Sequence, residues 1–113
     1  MGSMELNSVK RRSTRIPCTL PITITGVESG HWYSEPCLVI LVSPYGCAAR
    51  FSRSVEVGST VLLGGLPVGS EVAAEVVNCI SIEDYEHLWL LGLELDEPGN
   101  VWGIQSPPDD WEF

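Results

Sequence analysis

The side chains best equipped for chemistry in this 113-residue chain are the arginines of Arg11-Arg12-Ser13-Thr14-Arg15, which read R-x-x-x-R with a third arginine inside. A guanidinium fork donates two parallel hydrogen bonds to phosphate oxygens, matches the O6/N7 edge of guanine and stacks on its flat face. Two or three such groups on one arm can wrap an anionic guanine nucleotide. A second short motif, Leu41-Val42-Ser43-Pro44-Tyr45-Gly46, offers a hydroxyl at Ser43 and, at Gly46, a backbone open to close approach. Arg11, Arg12, Arg15, Ser43 and Gly46 are therefore the candidate ligand-binding residues.

Elsewhere the sequence offers little for catalysis. No G-x-S-x-G elbow is present. Gly64-Gly65-Leu66-Pro67-Val68-Gly69-Ser70 lacks the lysine of a phosphate-binding loop and precedes a strand, so it reads as a hairpin turn. Glu83, Asp84 and Glu86 crowd one turn, where acids are usually solvated. His31 has no acid or nucleophile beside it, and His87 falls on the apolar parity of the last expected strand, where a core histidine is expected. Cys18, Cys37, Cys47 and Cys79 form no C-x-x-C pair, so a zinc site is poorly supported and small buried hydrophobes are expected. A non-enzymatic chain without a catalytic or metal site is the expectation.

Charge narrows the partners. The net charge is −9, and all six basic residues lie at or before Arg53. Three of the fifteen acids precede that position and twelve follow it. Such a surface repels nucleic acid and anionic lipid over most of its area. No apolar run approaches the roughly 18 residues of a membrane helix. The leading Met1-Gly2-Ser3-Met4 reads as an expression scar and lacks the apolar stretch of a secretory signal, so a reducing cytoplasm is expected.

The elements that must carry the two motifs follow from periodicity. Ile16, Cys18, Leu20, Ile22 and Ile24 alternate with Pro17, Thr19, Pro21, Thr23 and Thr25, which predicts a half-buried strand with an edge or bulge at Pro21. Residues 26–34 read as a loop turning at Gly30. Cys37–Val42 is a continuous apolar run, which predicts a strand buried on both faces. Ser43–Gly46 turns it into a partner strand over residues 47–51. Residues 55–63 predict a short strand and residues 72–82 a longer one, with Val72, Ala74, Val76 and Ile80 on one side. The last strand places His87, Trp89, Leu91, Leu93 and Leu95 on one face.

Six strands without sustained helical periodicity predict an all-β fold, a six-stranded antiparallel barrel that removes its own edges. Residues 1–9 are expected to be scar or disordered, residues 10–97 to form the barrel with its flexible basic arm, and residues 98–113 to be an irregular tail. Trp102, Ile104 and Trp111 are expected to pack that tail on the barrel; an aromatic recognition tail is the alternative.

An R-x-x-x-R arm, a strand, and then S-x-x-G at the next hairpin of a six-stranded barrel resembles the PilZ family of bacteria. The resemblance spans roughly Lys10 to Asp96. It implies a receptor for cyclic di-GMP, a doubly negative cyclic dinucleotide, with Arg11 and Arg15 on phosphates and guanines, Ser43 and Gly46 in the second motif and Arg12 as an added contact. It also implies a downstream protein that senses the bound state. The family pattern has Asp or Asn where this chain has Leu41, so affinity is expected to be weakened. The alternative is a PilZ-like protein-interaction module that no longer binds the nucleotide.

Overall fold

The computed structural model describes residues 13–82, 85 and 87–111. Wherever β-branched and apolar residues alternate, a strand forms: β1 Ile16–Glu28, β2 His31–Ser43, β3 Gly46–Phe51, β4 Thr60–Gly64, β5 Val72–Ser81 and β6 Trp89–Leu95. All neighbours are antiparallel, and the sheet closes into a barrel in the order β1-β2-β3-β6-β5-β4. The closing seam is short, with Thr23, Ile24 and Thr25 of β1 paired to Gly64, Leu63 and Leu62 of β4. No helix occurs among the described residues, so none there is long and apolar enough to cross a membrane.

The barrel interior is filled. Ile24, Val39, Phe51, Leu63, Val76 and Leu91 are fully buried, and Leu93, Leu95 and Ala49 complete the same cluster. These positions share one parity on each strand, so the wall between core and solvent is a single layer of backbone. Cys37 is buried and free, and burial pushes its thiol up to about 12. The partly buried thiols of Cys18 and Cys47 are raised by the same desolvation, and Cys79 is also free.

Several boundaries differ from the sequence reading, each for a local reason. Residues 26–34 are not a loop: β1 and β2 continue in register to Glu28↔His31. Ser29 and Gly30 make the turn alone, with φ of 52° and 79°. Two successive positive φ values match the twist of an antiparallel pair, so two residues suffice. Cys37–Val42 is not buried on both faces. Cys37, Val39 and Val42 enter the core while Leu38, Ile40 and Leu41 stay half-exposed, because no second layer covers the outside of the barrel. Residues 55–59 precede β4 as a loop rather than a strand. Pro21 sits where β1 has β2 on one side and no β4 partner on the other, just after a register shift between Pro17 and Leu20.

Two further corrections concern β5 and β6. A register shift between Val76 and Asn78 inserts one extra residue into β5. It reverses the parity, so Ile80 is exposed and Cys79 packs toward the core. His87 is not a core histidine. It lies before β6, exposed, with a φ of 58°.

The tail beyond β6 is irregular and buries Trp102 and Trp111. It clasps the barrel at two places. Trp102 donates its indole N–H to the Ser43 carbonyl at 2.7 Å, and the Gly99 N–H reaches the Pro44 carbonyl at 2.8 Å. Trp111 donates its indole N–H to the Thr14 carbonyl at 2.6 Å. Asp110 answers from the same tail, accepting from the Thr14 N–H at 2.9 Å and the Thr14 hydroxyl at 2.7 Å. The Ser13 hydroxyl donates to the Asp110 carbonyl at 3.3 Å.

Candidate functional site

Tail contacts fix the two motif segments that the sequence separates. Ser13 and Thr14 hold the root of the arm, and Trp102 holds the Ser43 turn. Between them the outer barrel wall carries a groove of about 330 Å³, and Arg15, Leu41, Ser43 and Gly46 all line it. Its size is that of small-ligand clefts, whose lower end is roughly 300 Å³. Lys10, Arg11 and Arg12 lie outside the described residues, so two of the expected ligand contacts have no place assigned.

The interior is occupied by its own side chains, and the groove runs along the outer face of β2, β3, β6 and β5. Its outward positions have the parity opposite to the core: Leu41 and Ser43 on β2, Gly46 and Ala48 on β3, Gly92 and Glu94 on β6, and Asn78 and Ile80 on β5; the core residues Val42, Leu91 and Leu93 lie along its floor.

Arg15 is exposed and makes no ion pair among the described residues. A guanidinium presents N–H donors in a rigid fork that suits an anion. The Ser43 hydroxyl accepts from the Tyr45 N–H at 3.2 Å, which tightens the turn. Accepting on one lone pair leaves its own proton to be donated. Gly46 has a structural duty: a Cβ there would lie 2.0 Å from the Leu93 carbonyl oxygen, so the β6 backbone excludes any side chain. That close approach is enough by itself to demand glycine here. Leu41 places an isobutyl group at the groove edge, next to Pro17 on β1 and Ala48 on β3.

Several lining residues escaped sequence reasoning, and three of them bring polar or re-aimed side chains. Glu94 adds a carboxylate to the groove, and Asn78 and Ile80 enter it because of the β5 bulge. The signal for Asn78 was present: a polar residue directly after Val76-Val77 breaks the alternation, as a bulge does.

The remaining candidates do not assemble a second site. His31 and His87 are both exposed and lie at different turns. No group of three or more His, Cys, Asp or Glu side chains among the described residues could hold a metal ion. Arg53, which the sequence reading left without a role, lies in a cluster at the far end of β1. It donates to Glu28 at 2.6 Å and to Glu35 at 2.5 Å, and its guanidinium sits 4.4 Å from the Tyr33 ring centre. The Arg53 hydrogen bond holds the Glu35 carboxyl below the usual range, with Ser52 adding a second donor.

No protein-family model matches the chain, and no curated protein matches it.

Proposed function

We propose that this chain is a non-enzymatic PilZ-like receptor domain of the bacterial cytoplasm that binds cyclic di-GMP on its outer wall. One observation carries the reading. Arg15, Ser43 and Gly46, which the resemblance assigns to the ligand, line a single groove, and Arg15 makes no ion pair among the described residues. The dianionic ligand supplies the missing counter-charge. Arg11 and Arg12 close from the arm, and Ser43 donates to a phosphate or base oxygen. The ordered arm then presents a changed surface to a downstream protein.

Leu41 weakens the site without closing it. Losing a polar partner to a charged or base-edge group costs about 1.5–3 kcal/mol, roughly ten- to a hundredfold in affinity. Calorimetric titration with cyclic di-GMP at low and physiological salt tests the reading. Binding that weakens with salt and is lost in Arg11→Ala and Arg15→Ala supports it. No heat at millimolar ligand in either buffer overturns it.

A second reading, a protein-interaction module without nucleotide, draws on another region. The β1–β2 hairpin reaches past the closing seam, and its tip leaves Trp32 73% exposed opposite exposed Val27. An aromatic in that position favours a protein contact.

A further inference from the structure

The outer wall contains one cross-strand row with an uncommon composition. Leu41 pairs with Ala48, Ala48 with Gly92, and Gly92 with Asn78, across β2, β3, β6 and β5. Strands lie about 4.8 Å apart, so Leu41 and Asn78 stand roughly 14 Å from each other. The two positions between them have at most a methyl group. The result is a shallow floor two strands wide, bordered on the β5–β6 side by Leu90 and Ile80 and at the opposite end by Arg15 and Ser43.

Asn78 reaches this floor only because of the bulge. Val76 faces the core, so regular alternation would turn Asn78 inward as well. The extra residue in β5 turns it outward instead, and leaves Val77 and Ile80 about half exposed. A second register shift, between Val39 and Leu41 of β2, ends on the same row from the other side. Gly92 is required by the arrangement: a Cβ there would come within 2.9 Å of the Asn78 Cβ. The exposed Asn78 amide has no hydrogen-bond partner among the described residues. Bulges next to binding sites commonly re-aim one side chain, and here the side chain gained is a donor and an acceptor side by side.

We propose that Asn78 is the base-reading residue of this groove. A purine ring lies on the Ala48–Gly92 floor. Its O6 accepts from the Asn78 amide N–H, its N1–H donates to the amide oxygen, and its phosphate faces Arg15. The inference rests on the cyclic di-GMP reading and deepens it: the polar group absent at Leu41 is supplied from the opposite edge of the same row, by a different strand.

Titration of the full chain with cyclic di-GMP separates this from the wider reading. Asn78→Ala is expected to bind cyclic di-GMP about five- to a hundredfold more weakly, the range of one bidentate base contact. Its dependence on salt should equal that of the wild type, because no phosphate contact is removed. Asn78→Asp should also weaken cyclic di-GMP binding, since its carboxylate still accepts from guanine N1–H but has no proton to donate to O6. Ala48→Leu, which fills the floor from an outward position, should lose binding with an unchanged melting curve. Wild-type affinity in Asn78→Ala, or normal binding by Ala48→Leu, overturns the inference while the receptor reading stands. Absence of binding by the wild-type chain overturns both.

Discussion

Arg15 and Arg53 stand near opposite ends of β1, and the barrel treats them in opposite ways. Arg53 is enclosed by partners: two carboxylates, from Glu28 and Glu35, and the Tyr33 ring. Its charge is spent on joining the β1–β2 hairpin to the segment after β3. Arg15 has no such partner among the described residues, although the chain carries an excess of acids. The difference separates two uses of one residue type. A guanidinium satisfied on several sides is part of the fold, whereas one left open beside a hydroxyl and a small-residue floor is available to a ligand. The two regions are also held differently. The Arg53 end relies on solvent-accessible ion pairs, and the Arg15 end on buried indole hydrogen bonds from the tail.

The largest effect should come from removing the tail anchor. Trp111→Ala deletes a buried ring and its bond to Thr14, and is expected to cost about 3–5 kcal/mol in urea unfolding. It should also weaken cyclic di-GMP binding, because the root of the arm loses its attachment. Unchanged stability would show that the tail is not a buttress. Next comes the exchange of roles between the two arginines. Arg15→Ala should lose measurable binding while leaving stability within roughly 0.5 kcal/mol of wild type. Arg53→Ala should do the reverse, lowering the thermal midpoint with affinity unaltered. If both variants lose affinity equally, the contrast between satisfied and open guanidinium has no functional meaning.

Smaller effects sharpen the comparison. Leu41→Asp should tighten cyclic di-GMP binding severalfold by restoring an acceptor at the groove edge, read by the same calorimetry. At the other end, the lowered carboxyl of Glu35 makes a prediction about pH. A group whose folded value lies below its unfolded one, about 4.3 for glutamate, stabilises the fold above that pH. That stability is lost as pH falls through the lower folded value. Acid unfolding should therefore begin at lower pH in the wild type than the carboxyl's ordinary value alone would give. Glu35→Gln should flatten this part of the stability profile. An unchanged profile in Glu35→Gln would remove Glu35 from the account.

Much of the architecture was legible because strand periodicity is local. The alternation at residues 16–25, the turn at Ser43–Gly46 and the apolar parity of residues 89–95 each required only neighbouring residues to interpret. Where the facing of β5 side chains was misjudged, a bulge was the cause. A bulge changes parity by one residue, so Ile80 moved outward, Asn78 entered the groove, and neither shift shows in composition. Gly30 marked its turn correctly, but only the pairing of Glu28 with His31 shows that two residues suffice. His87 kept the parity of β6 on paper and lost it because the strand begins at Trp89.

Composition and order alone determined that this chain makes a six-stranded antiparallel barrel, and they singled out Arg15, Ser43 and Gly46 as residues of interest. Folding decided where those residues meet. Closure of the sheet put the groove on the outer wall, because the interior was already filled. The tail tryptophans then brought residue 14 and residue 43 under one clasp, since buried indole N–H groups must find acceptors and the nearest were on those two segments. Contacts between residues nearly a hundred positions apart leave no trace in local periodicity, so only the three-dimensional packing could settle them.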